Sequence, residues 1–160
     1  MNIVVSDTTP LNYLILIGEV GVLPLLFEKV FVPPAVVQEL KHPKAPAAVS
    51  HWVSSLPAWV EIRVPQTELN QWIGKGENEA ISLALELSGA TLLVDDMKAK
   101  TAAESRGLVT LGTLAILDLA DGAGLIDFES AVARLQSTSF YLEESLLESM
   151  LAKVRTRKND

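Results

Sequence analysis

The sequence predicts an α/β domain organised around a mainly parallel sheet. Three observations carry that expectation. Apolar β-type runs alternate with helical segments along the whole chain, two of those runs end on aspartate, and a helix follows each of them. Parallel strands need long crossovers, most often helical, so strict alternation favours them over hairpins.

Taken in order, Asn2-Ile3-Val4-Val5-Ser6 forms the first strand and stops on Asp7, with Thr8, Thr9 and Pro10 behind it. Ligands of an open parallel sheet gather outside the carboxyl ends of its strands, so an acid at that point faces the crevice. Pro10 suits a first helical turn, where its missing N–H costs nothing. The competing reading is that Asp7 only caps this helix. The apolar run over 11–26 is broken by Gly18, Glu19, Gly21 and Pro24 and reads as two short core helices with a turn between them. It is shorter than the roughly 18 apolar residues of a membrane span, and lacks the basic start and cleavage site of a signal peptide. Val30-Phe31-Val32 is a second strand. Pro33-Pro34 opens a helix over 35–41, which Pro43 closes.

A helix over 47–55, a strand over 59–64 and a short helix over 67–72 follow, then a Gly74-Lys75-Gly76 turn and a strong helix over 77–87. The strand over 91–94 runs into Asp95-Asp96, and a helix over 97–105 continues from there. A brief Leu108-Val109 strand and helices over 113–121, 128–135 and 142–154 complete the chain. Ser137-Thr138-Ser139 is the linker-like stretch. Trp52, Trp59 and Trp72 read as packing residues, and His42 and His51 as surface residues.

Acids dominate the candidate chemistry. Two strands ending in acid bring carboxylates to one sheet edge, where like charges repel unless a hard cation with oxygen ligands sits between them. Glu39 lies in the helix after the second strand, among apolar Val36, Val37 and Leu40. In the helix over 77–87, a 100° period puts Glu77 at the start of the Ala80/Ile81/Ala84 face. Glu79 falls on the opposite side with Ser82 and Glu86, as a solvated or capping residue. The chain has 160 residues, no cysteine and a net charge of −7. Disulfides and thiolate chemistry are thereby excluded, and nucleic acid is not held by bulk electrostatics alone. The compartment expected is cytoplasmic. Lys98, Lys100 and Arg106 follow the Asp95-Asp96 turn as candidate phosphate contacts. Lys153, Arg155, Arg157 and Lys158 form either a solvated tail or a contact for RNA or a partner.

These residues carry a resemblance. The aspartate after the first strand with Thr9 two positions on, Glu39, the Gly76-Glu77-Asn78-Glu79-Ala80-Ile81 helix start, Leu92-Leu93-Val94-Asp95-Asp96-Met97-Lys98-Ala99, and the 107–117 segment from Gly107 to Leu117 resemble the PIN domain. Within it, they are similar to a VapC-like prokaryotic branch. The likeness covers about 1–126. It implies a three-layer α/β/α fold with a mainly parallel central sheet, comprising a PIN-like catalytic part over 1–136 and a C-terminal helix and basic tail of the same domain over 137–160. It also implies a Mg²⁺- or Mn²⁺-dependent ribonuclease with Asp7, Glu39, Glu77 and Asp95 or Asp96 as catalytic acids and metal ligands. Thr9 would orient a ligand. A toxin of this kind implies an RNA substrate and a small antitoxin partner. Glu77 stands where many relatives have Asp, which leaves one metal or two open.

The chemistry is consistent with that inventory, since phosphodiester hydrolysis needs an activated water and charge stabilisation that a carboxylate-held cation supplies. Two alternatives stay open from the sequence. One is a haloacid dehalogenase-like phosphatase, although Thr9 stands where its second Asp belongs. The other is a non-catalytic protein-binding domain. Apolar helices near 14–26 and 142–151 make a homodimer a further expectation.

Overall fold

The computed structural model describes residues 3–159; Met1, Asp160 and Asn2, which opens the first run, lie outside the described residues. Five strands, β1 (Ile3–Ser6), β2 (Lys29–Val32), β3 (Val60–Ile62), β4 (Thr91–Leu93) and β5 (Val109–Leu111), form one sheet in the order β3-β2-β1-β4-β5. Every pairing is parallel. In the middle lies β1, with Val5 opposite Phe31 on one side and Leu92 on the other.

Nine α-helices lie among the described residues: α1 (Thr8–Leu16), α2 (Leu23–Leu26), α3 (Pro34–Leu40), α4 (Ala47–Ser54), α5 (Lys75–Glu86), α6 (Met97–Glu104), α7 (Thr113–Gly122), α8 (Phe128–Gln136) and α9 (Glu144–Asn159). Successive strand residues point to opposite faces, and both faces are covered, which is why the strands read as continuous apolar runs. Val4, Val30, Val32 and Leu93 face a core with side chains of α1, α3, α4, α7, α8 and α9. Val5, Phe31, Leu92 and Val94 face a smaller one under α5 and α6. The result is the expected three-layer α/β/α arrangement. The apolar run after β1 folds as α1, a 3₁₀ turn (Val20–Val22) and α2, bent by 116°, and among the described residues no single helix is long and apolar enough to cross a membrane.

Three expectations are corrected. Residues 67–72 are not helical. Side chains of α5 satisfy their backbone instead, with Glu86 accepting from the N–H groups of Gln66 at 2.8 Å and Thr67 at 2.9 Å, and Asn78 bonding Gln71. Nor is Gly74-Lys75-Gly76 a free turn, because α5 starts at Lys75 and takes Gly76 into its first turn. Trp52 and Trp59 pack together at 6.1 Å, but Trp72 is 98% exposed. It stands on the irregular segment whose Leu69 packs against the smaller core, and is itself outside both cores.

The basic residues of α9 are all engaged. Lys153 pairs with Asp118, Arg155 with Glu129, Arg157 with Asp118 and Asp121, and Lys158 with Asp121 and Asp127. Asp121 also accepts the Phe128 N–H at 2.8 Å, so one carboxylate joins α7 to α8 and α9. Burial pushes Asp118 and Asp121 upward, but the bonds from Lys153 and Arg157, and from Arg157, Phe128 and Lys158, hold both below the usual carboxylate value.

Groups whose folded pKa is depressed contribute stability above the unfolded value of 3.8, and that contribution is lost as the pH falls through the folded value. Asp121→Ala is expected to lower unfolding stability by about 1–3 kcal/mol at neutral pH, discounted for the partial exposure of the cations. The deficit relative to wild type should shrink below about pH 4, which denaturant melts across pH will measure.

Candidate active site

Strand order runs outward from β1 through β2 to β3 on one side, then restarts through β4 and β5 on the other. Connections therefore diverge between β1 and β4 and leave a crevice beyond their carboxyl ends, the usual ligand position in open α/β sheets. Asp7 follows β1 directly, and its N–H bonds the Leu93 carbonyl at 2.9 Å. The next residues after Leu93 are Val94, tied to β5 through Leu111, and then Asp95. Local sheet geometry thus delivers both acids to one place.

Asp7 is only 2% exposed. It occupies the N-cap position of α1 but makes no capping bond, so the helix-cap reading has no support in its geometry. Burial raises its pKa from 3.8 to about 7; the Thr8 N–H partly offsets this, while Glu77, Glu39 and Asp95 push it further up. The charged side chains that act on it are these three acids. For Glu77, burial and the neighbouring Asp96 and Glu39 raise the carboxyl, partly offset by the bond its side chain accepts from the Gly74 N–H at the start of its own helix. Asp95 is raised by burial and drawn back by Thr113 and Lys100. Its Oδ1 accepts the Thr113 N–H at 2.8 Å and its Oδ2 the Thr113 hydroxyl at 2.6 Å, fixing it at the start of α7.

Glu39 is exposed although Val36, Val37 and Leu40 around it in α3 are buried, yet it is held. It accepts the Thr8 hydroxyl and, at 3.1 Å, the Gly76 N–H, joining α1, α3 and α5. Glycine leaves room for that approach, since with Glu39 so placed a Cβ at residue 76 would stand 2.5 Å from its Oε2. At Gly112 a Cβ would stand 2.9 Å from Asp95 Oδ1. Asp96 caps α6 by accepting the Ala99 N–H at 2.9 Å.

The structure brings Asp7, Glu39, Glu77, Asp95 and Asp96 to one edge. A cleft of about 720 Å³ is lined there by Thr9, Glu77, Asp95, Asp96 and Lys100, among others. Lys98 is exposed outside that lining, and Arg106 lies beyond the far end of α6. Glu79 does not face the cleft, and it caps a different helix from its own. Pro33 and Pro34 lack N–H groups, so the first free donor of α3 is Ala35 N–H, which Glu79 Oε1 accepts at 2.9 Å. Sequence reasoning missed Thr8, Thr113, Gly76 and Gly112, the residues that hold the acids. The Gly112-Thr113 pair before a helix was a usable signal for one acid; the Thr8–Glu39 bond spans 31 positions and had none.

Among the described residues no three histidine or acid side chains stand close enough together to enclose an ion as they are placed. The donor chemistry fits a hard divalent cation nonetheless, because a buried carboxyl faced only by other acids lacks the positive charge it needs to ionise at neutral pH.

Fold and acids together define a parallel α/β domain with a carboxylate site at its switch point. A family model described as a PIN domain matches residues 3–156, and the chain belongs to the PIN-domain family. Such domains are in general nucleases that use divalent metal ions, which sets aside the dehalogenase-like phosphatase. No curated protein and no solved structure matches the chain.

In metal-free protein the raised pKa of Asp7 means that the folded state holds a proton the unfolded state has released. Stability from this group is greatest below about pH 4 and falls as the pH rises toward 7, by on the order of 4 kcal/mol. Thermal melts in EDTA should show Asp7→Asn more stable than wild type near neutrality, with the difference vanishing in acid. Equal stability at every pH would mean that Asp7 bears no buried charge.

Proposed function

We propose that the chain is a Mg²⁺- or Mn²⁺-dependent endoribonuclease of the VapC-like kind, the toxin of a toxin–antitoxin pair. The observation that carries the enzymatic reading is the buried, unneutralised Asp7 at the switch point, with Glu39, Glu77 and Asp95 acting on it. The toxin role, the RNA substrate and the small antitoxin rest on the sequence likeness to that branch.

Asp7, Glu39, Glu77 and Asp95 are the residues that would hold the cation. When bound, it supplies charge stabilisation at the phosphoryl group and lowers the pKa of an attacking water. Asp95 takes the ligand role in preference to Asp96, because Asp95 acts on Asp7 while Asp96 is exposed and occupied with the cap of α6. An ionised carboxylate has about four acceptor sites, so Asp95 keeps capacity beyond its two bonds to Thr113. Thr8 and Gly76 hold Glu39 in position, and Thr113 does so for Asp95. Thr9, one residue further, lines the cleft, which supports its role in orienting a ligand there. Lys100 lines the same cleft and is the candidate phosphate contact.

Pure protein incubated with total RNA should cleave it with Mg²⁺ or Mn²⁺ and not with EDTA. Asp7→Asn should lose at least about 100-fold in rate, the scale of losing one essential electrostatic group. Cleavage unaffected by EDTA, or full activity in Asp7→Asn, would overturn the site.

The two glutamates of the helix start should separate by readout. Glu77→Gln is expected to remove most activity with little change in melting. Glu79→Gln should keep the rate per folded molecule while costing about 1 kcal/mol of stability, as its bond to Ala35 weakens. Loss of chemistry in Glu79→Gln with Glu77→Gln active would reverse the assignment.

A further inference from the structure

Part of the cleft wall comes from the segment between α8 and α9 and from α9 itself, outside the elements that bear the acids. Phe140, Tyr141 and Glu143 from this segment, with Leu146 and Met150 of α9, line the same cleft as Glu77, Asp95 and Asp96. The segment is anchored. Phe140 packs edge-on against Tyr13 of α1 at 5.0 Å, the Tyr13 and Ser139 hydroxyls bond at 2.8 Å, and the Phe140 N–H donates to Thr138 Oγ1 at 3.2 Å. Tyr141, the next residue, is 82% exposed although it lines the cleft. One aromatic is therefore spent on holding the segment, and its neighbour is presented free.

Charge explains why such a residue matters. The cleft lining carries four acids, Glu77, Asp95, Asp96 and Glu143, against the single cation Lys100. Phosphate contacts to this chain's own cations cannot supply much of the binding of an RNA strand there. Uncharged contact must supply more, and an exposed aromatic face stacks on any base.

We propose that Tyr141 is a substrate-binding residue that stacks on one nucleobase of the bound strand and holds that strand in the cleft beside the acids. The proposal rests on the ribonuclease reading above. It involves no proton transfer and no covalent step. Tyr141 acts through the nucleotide it holds.

The test uses the wild-type chain, Tyr141→Ala and Tyr141→Phe with oligoadenylate and with the same oligonucleotide carrying one abasic residue beside the cleaved bond, in Mg²⁺. Tyr141→Ala should raise KM roughly ten-fold or more with kcat changed much less, and Tyr141→Phe should restore KM. With the abasic strand, wild type and Tyr141→Ala should become alike. Thermal melts and Mn²⁺ titration without RNA should be the same for all three proteins. If wild type cleaves and Tyr141→Ala matches it in KM, or if the defect persists on the abasic strand, the stacking role is overturned and the ribonuclease reading stands. If wild type cleaves no RNA at all, the ribonuclease reading fails and takes this inference with it.

Discussion

A strand in the middle of a parallel sheet hands its next residue to a position walled by protein on both sides, and in this chain that residue is Asp7. Its backbone N–H bonds the end of β4, which fixes its main chain in the sheet, and its side chain is buried there. The carboxylate is thus held where its ionisation is least favourable, and the acids around it make matters worse. A fold arranged for stability alone would place an apolar residue there. The surrounding architecture follows from keeping this group in place: α1 starts immediately after it, α5 brings Glu77 beside it, and α7 begins with the threonine that fixes Asp95.

The acids differ in how they are held, and the differences are chemical. Asp7 is fixed by the sheet itself. Glu39 reaches the site from an exposed helix position, which succeeds only because the Thr8 hydroxyl and the Gly76 N–H receive it and residue 76 has no side chain to obstruct the approach. Glu77 is turned onto its own helix start, and Asp95 is fastened at both oxygens. Uncharged donors provide these bonds. They position negative charge without cancelling it, which leaves the attraction for a cation intact.

The strands and the two acid-bearing ends were legible because each is encoded locally: an apolar run, an acid, and a helix start follow one another within ten residues. The helical phase that separated Glu77 from Glu79 was legible for the same reason. What Glu79 does was not, since its partner Ala35 lies 44 positions away and the need arises from two prolines with no N–H to offer. The segment over 67–72 has helical composition, but its backbone is satisfied from α5, a tertiary effect that local propensity does not contain. The cations of the last helix looked like a free tail because their acids, Asp118, Asp121, Asp127 and Glu129, lie in other elements. Tyr141 carried no motif, and only its place in the cleft makes it visible.

The attachment of α9 has a consequence for how solution conditions act on this protein. Val154 is the one fully buried residue of that helix; Leu147, Met150 and Leu151 pack partly buried against the same core, and ion pairs whose cations are partly exposed complete the docking. Dissolved electrolyte shortens the reach of such pairs to within about 10 Å at 0.1 M ionic strength and further above it. The wall that carries Leu146 and Met150 is therefore the electrolyte-sensitive side of the cleft, whereas the acid-bearing floor is built into the sheet. For the proposed RNA substrate, raising ionic strength would weaken its hold on Lys100 and loosen that wall together, so an affinity measured against salt would report two processes, and its slope would not count phosphate contacts alone.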